Sequence, residues 1–117
     1  MHEYAICMAL LEQVERIARE HNAQKVERII LKVGPLSGVE GELLQHSWPL
    51  AAADTIAAEA RLTIEPAPVV IKCSRCESEA ETAPNRLLCP SCGSFQTRLI
   101  GGDEMLLESI ELLTNDS

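Results

Sequence analysis

The sequence predicts an α+β protein: a small base of about two helices and a three-stranded sheet, with a four-cysteine zinc module inserted before the last strand. Three observations carry this expectation. A helical apolar stripe opens the chain, period-two apolar segments follow, and two CxxC pairs lie in a stretch poor in core-building residues. With 117 residues, 46% of them hydrophobic, the chain is the size of one domain and can bury a modest core. Aromatics are only 3% (Tyr4, Trp48 and Phe95), so Leu, Ile, Val and Ala must build that core with good packing or a staple.

From Tyr4 to about Glu20 the apolar positions are Cys7, Leu10, Leu11, Val14, Ile17 and Ala18, with Glu12, Glu15, Arg16 and Arg19 on the wet side of a helix. Asn22 is a suitable stop, since Asn tolerates a left-handed backbone. Val26 to Val33 reads as a strand, and the run Gly34-Pro35-Leu36-Ser37-Gly38 as a turn. Glu40 to about Trp48 reads as a second helix with Leu43, Leu44 and Ser47 inward, and Pro49 should kink or end it. The alanine-rich stretch 51–60 fits no single period. Arg61 to Glu65 alternates again, Pro66 and Pro68 lead into Val69-Val70-Ile71, and Met105 to Leu113 returns as a last strand after Gly101-Gly102. The expected division is 1–71 plus 101–117 for the base and 72–100 for the zinc-binding module.

The net charge of −8 argues against nucleic acid, whose phosphates reward clustered Lys and Arg. MHEYAICMALLEQ has no cationic leader region or small-residue cleavage site, and no apolar run is long enough to span a bilayer. A cytoplasmic protein is expected, and in a reducing compartment paired cysteines mean metal more often than disulfides.

Cys73-Ser-Arg-Cys76 and Cys89-Pro-Ser-Cys92 are separated by twelve residues. Each pair can wrap a tight turn with both sulfurs facing one ion, and two such knuckles complete a tetrahedron with no open position, which reads as structural zinc. Gly93 stands where the backbone must turn under the metal, and Lys72, Arg75 and Arg86 lie close enough in sequence to offset the thiolate charge. Disulfides, a redox CxxC, or rubredoxin-like iron are the competing readings. Cys7, with no partner pair, reads as a small core hydrophobe.

Met1-His2-Glu3 places an α-amine, an amide and an imidazole where they can close two chelate rings on Ni(II) or Cu(II). Amine and amide must both lose protons, so such binding weakens as pH falls. From spacing alone, however, a histidine at position 2 is an ordinary surface residue. His21 suits the negative end of its helix and His46 a surface or half-buried place on the second helix beside Trp48; neither carries a motif.

The opening MHE, the stretch Lys32-Val33-Gly34-Pro35-Leu36-Ser37-Gly38-Val39-Glu40, the two CxxC pairs and the late Ser109-Ile110-Glu111 together resemble the HypA/HybF family of hydrogenase nickel-incorporation accessory proteins. The resemblance runs through nearly the whole chain. It implies a nickel metallochaperone, not an enzyme, serving the large subunit of [NiFe]-hydrogenase with a partner GTPase, HypB. It implies nickel on the Met1 amine, the His2 imidazole and amide and a Glu3 backbone amide, with Glu40 as a ligand or orienting group. Structural zinc would sit on Cys73, Cys76, Cys89 and Cys92. Pro49 departs from the family pattern and puts the length of the second helix in question. No GxxxxGK[ST] is present, so nucleotide energy would come from the partner. A homodimer is a further candidate assembly. The alternatives are a rubredoxin-like electron carrier, which would be iron-loaded and red, and a zinc-ribbon interaction scaffold. A nucleic-acid ribbon would need basic residues where Glu77, Glu79 and Glu81 stand.

Overall fold

The computed structural model describes residues 2–114, with only the backbone for His2. The element order is α1 (His2–Glu20), β1 (Ala23–Val33), α2 (Gly41–Ala52), β2 (Arg61–Pro66), β3 (Val69–Cys73), β4 (Glu79–Thr82), β5 (Thr97–Gly101) and β6 (Met105–Thr114). The α+β class and the two helices are as expected. The strands, however, form two three-stranded sheets, ordered β2-β1-β6 and β4-β3-β5. The chain divides into two compact units: Met1–Leu31, Glu40–Ile64 and Leu107–Ser117 form the first, Lys32–Val39 and Glu65–Leu106 the second.

In the first unit, α1 buries Cys7, Leu10, Leu11, Val14 and Ala18, the stripe its sequence spells out. Each large aliphatic side chain so buried contributes roughly 1.5–3 kcal/mol. The helix ends where the His21 N–H bonds back to Ile17 and Ala18 carbonyls and Asn22 takes φ 53, the left-handed stop expected of it. The His21 Nδ1 lies 2.9 Å from the same Ile17 carbonyl, which thus takes a second contact at the helix end. β1 starts at Ala23, three residues earlier than expected, and buries Val26, Ile29, Leu31 and Val33.

Helix α2 buries Leu44, Trp48, Ala51 and Ala52, one stripe at helical spacing. Pro49 does not end it. The proline forfeits the N–H that would reach Gln45, yet the helix continues to Ala52 because Trp48, Ala51 and Ala52 all pack inward around it. Leu43, expected inward, is 41% exposed. The Cys7 Sγ lies 3.4 Å from the Leu44 carbonyl, so α1 and α2 meet at a wholly buried thiol. Trp48 is 3% exposed, and its Nε1 has no hydrogen-bond partner among the described residues. Past Ala53 the alanine-rich stretch becomes turns: Thr55 Oγ1 donates to the Ala52 carbonyl and accepts from the Ala57 N–H, while Ala57 and Ala60 are buried.

In the second unit, β3 is central, pairing antiparallel with β4 (Val70 opposite Glu81) and with β5 (Ile71 opposite Leu99). Val69, Ile71 and Cys73 point inward from it. The turn after β1 is held by backbone bonds from Gly34 N to Glu104 O and from Leu36 N to Gly102 O, both 2.8 Å. A Cβ on Gly34 would lie 2.1 Å from the Gly102 oxygen, so only glycine permits this approach. Glu104 bends back to accept the Gly102 N–H at 2.6 Å.

Candidate metal centres

The two CxxC pairs form knuckles built on one repeated hydrogen-bond plan. In the first, the Cys73 N–H reaches the Ser78 carbonyl at 2.9 Å and the Glu77 N–H returns to the Cys73 carbonyl at 3.0 Å. In the second, the Cys89 N–H reaches the Ser94 carbonyl at 3.0 Å and the Gly93 N–H returns to the Cys89 carbonyl at 2.8 Å. Gly93, at φ 76, makes the turn expected of it; its counterpart Glu77 adopts φ 62 without being glycine. Glu77 was missed from sequence, although the signal is there: Cys-x-x-Cys is followed by Glu-Ser in one knuckle and Gly-Ser in the other.

The four sulfurs all lie within 4.8 Å of one another, with Cys73–Cys92 and Cys76–Cys89 both at 3.6 Å. A four-thiolate ion with metal–sulfur bonds near 2.3 Å needs sulfurs about 3.8 Å apart, so the set fits one tetrahedral ion. The spacing also exceeds a disulfide bond length of about 2.05 Å. Backbone N–H groups support negative sulfur: Cys73 Sγ accepts from Arg75 and Cys76 at 3.3 and 3.4 Å. These donors, that of Cys76 foremost, hold the Cys73 thiol below its ordinary pKa. Cys76 is lowered to about 6, chiefly by the Ser78 hydroxyl 3.3 Å away and the Ser78 N–H. At Cys92 the Ser94 N–H favours the thiolate, but burial and the neighbouring sulfurs together push it up to about 11. Four thiolates this close repel one another, and a cation held among them removes that cost. Among the described residues this is the one cluster of three or more His, Cys, Asp or Glu side chains placed to share an ion.

Of the expected nickel residues, Met1 lies outside the described residues, as does the His2 side chain. The backbone of α1 begins at His2, so the first amides of the chain sit in a helical turn that has no intrahelical acceptors for them. Glu3 is the one buried charged residue among those described, at 5% exposure. Its carboxylate accepts the Glu40 N–H at 3.4 Å, so the fold brings Glu3 and Glu40 together. Glu40 itself is exposed and precedes α2 in extended backbone, φ −94 and ψ 113, with no side-chain cap. Cys7 is closed off in the core, while His21 and His46 are exposed.

The chain matches over residues 1–112 the family described as hydrogenase/urease nickel incorporation, metallochaperone, hypA. It is 46% identical over 114 residues to the hydrogenase maturation factor HypA of Nitrosospira multiformis, covering 97% of this chain and 99% of that one. The Aquifex aeolicus protein of the same name is 41% identical over 112 residues, covering 96% and 97%. Among solved structures, the solution structure of the nickel metallochaperone HypA from Helicobacter pylori superposes with a TM-score of 0.73 at 26% identity, covering 98% of this chain and all of that one.

Proposed function

The chain belongs to the HypA family of hydrogenase nickel-incorporation metallochaperones, and on that premise we propose that it carries Ni(II) at its amino terminus while zinc orders its four-cysteine module. The observation that carries the reading is the meeting of Glu3 and Glu40 beside the first turn of α1. The positive end of a helix is a poor place for a cation unless negative charge is supplied there. The Glu3 carboxylate supplies it, and so would the deprotonated amides of His2 and Glu3. Met1 gives its amine, His2 its imidazole and amide, Glu3 a backbone amide, and Glu40 a carboxylate that binds or orients. Nitrogen-rich, tetragonal donor sets of this kind suit nickel.

Zinc belongs on Cys73, Cys76, Cys89 and Cys92, where a closed tetrathiolate is structural and does no chemistry. The metal-ordered module is 72–100, and 1–71 plus 101–117 form the nickel-binding base. No nucleotide motif is present in the chain, so the GTPase partner HypB docks on that base, and the nickel passes to the large subunit of [NiFe]-hydrogenase. The protein works in the cytoplasm and is a carrier, not a catalyst. No helix among the described residues is long and apolar enough to cross a membrane.

Metal analysis of protein purified without added metal should find one zinc per chain and no iron. Nickel titration of a tag-free amino terminus should give one further site that loses most of its affinity in His2→Ala, while GTPase binding survives that change. Iron in the cysteine site, or nickel affinity unaltered in His2→Ala, would overturn the assignment.

A further inference from the structure

Strand β6 is the odd element of the fold. Six of its ten residues are Met, Leu or Ile, yet none of the ten is buried, whereas neighbouring β1 buries four. It is an outer strand of the sheet β2-β1-β6, and among the described residues no strand pairs with its far edge. Natural edges of this length are usually blunted with Lys, Pro or a cover, because a row of free N–H and C=O groups invites another strand. MLLESIELLT contains no Lys, Arg or Pro. A groove of about 360 Å³ follows this strand against the end of α1, lined by Ile17, His21, Leu107, Ile110 and Leu112 with Glu108 on its wall. Leu113 is 44% exposed beyond it, and the Glu111 carboxylate, 56% exposed, pairs with Arg28 of β1 at 3.8 Å.

We propose that the open edge of β6 receives an extended segment of a partner protein as an added strand, one that alternates apolar and cationic residues. The backbone row supplies the hydrogen bonds, the groove takes alternate apolar side chains, and the acidic surface of a chain of net charge −8 favours Lys or Arg between them. Charge decides against a second copy of this chain. In antiparallel self-pairing that overlaps most of β6, Glu108 and Glu111 of one copy face or neighbour the same two carboxylates of the other, which is destabilising. The net charge of −8 works in the same direction. The inference stands on β6 and its groove and is independent of the nickel assignment.

The probe is a synthetic peptide as long as β6 (10 residues), alternating Lys and Val, added to the intact metal-loaded protein. Amide exchange followed by NMR should slow about tenfold at the alternate β6 amides that point away from β1. The same peptide with alternate amides N-methylated keeps its charge but cannot add as a strand, and should give no protection. Glu108→Lys should weaken the unmodified peptide by about fivefold. Equal effects from both peptides, or protection spread over acidic surface outside β6, would mean charge attraction without strand addition and would overturn the proposal. Sedimentation equilibrium showing a dimer, with β6 amides already protected before peptide is added, would assign the edge to a second copy and overturn it equally.

Discussion

Glu3 and Glu40, thirty-seven positions apart, are joined by a hydrogen bond in which the Glu40 N–H donates to a Glu3 carboxylate oxygen over 3.4 Å. The bond is long, but it ties the first turn of α1 to the residue that leads into α2. Glu3→Gln should therefore weaken nickel about as much as Glu40→Gln, near tenfold each, with His2→Ala costing about a hundredfold or more. Affinity in all variants should fall with pH, because the amine and amide must be deprotonated to bind. Calorimetric titration at matched pH checks the order; a Glu3→Gln protein binding as tightly as wild type would remove Glu3 from the site.

Glu77 and Gly93 hold equivalent places in the two knuckles, both with positive φ. A Cβ on Gly93 meets nothing within 4 Å, so Gly93→Ala should cost backbone strain alone, about 1 kcal/mol. Glu77→Gly relieves the same strain but loosens the unfolded chain, for a net gain of about 0.5 kcal/mol. Thermal midpoints of the zinc-loaded proteins should move in opposite directions; movement in the same direction would break the equivalence.

Pro49→Ala should stabilise the base by about 1–2 kcal/mol, since it restores an N–H for the Gln45 carbonyl and Pro49 is exposed. Urea unfolding settles it, and a lower midpoint would show that the proline is holding the last turn in place.

The Glu104 carboxyl lies below its ordinary value of 4.5, held there by its own N–H and that of Gly102, with Lys32 nearby. A carboxyl lowered by folding adds stability that is present above its unfolded pKa and disappears as pH falls through the folded one. Glu104→Gln should be less stable than wild type at neutral pH and equal to it near pH 2, about the point where both side chains are uncharged. A difference that persisted in acid would make the role of Glu104 one of packing.

Much of this was legible in advance where a single period or spacing governs. The stripe from Cys7 to Ala18, the alternation of Ile29, Leu31 and Val33, and the cysteine spacing each need only local physics. The second sheet was hidden because β4 reads Glu-Ala-Glu-Thr and β5 is five residues interrupted by Arg98; both are ordered by pairing with β3 rather than by their own apolar pattern. The run of α2 through Pro49 was misread because packing of Trp48, Ala51 and Ala52 outweighs one lost hydrogen bond. Glu3 gave no sign of burial, since a glutamate is almost never enclosed without a partner and its partner lies far away in sequence.

Trp48 is the only tryptophan in the chain, sits in the first unit, and keeps its indole N–H away from both water and any described acceptor. Its fluorescence should consequently be blue-shifted in the folded protein and redden only when the helical core around it opens. The second unit contains no tryptophan at all. The molecule thus carries a built-in optical label for one of its two units: stripping metal from the cysteines can be watched by loss of thiolate-to-metal absorbance in the ultraviolet while the indole reports separately on the first unit.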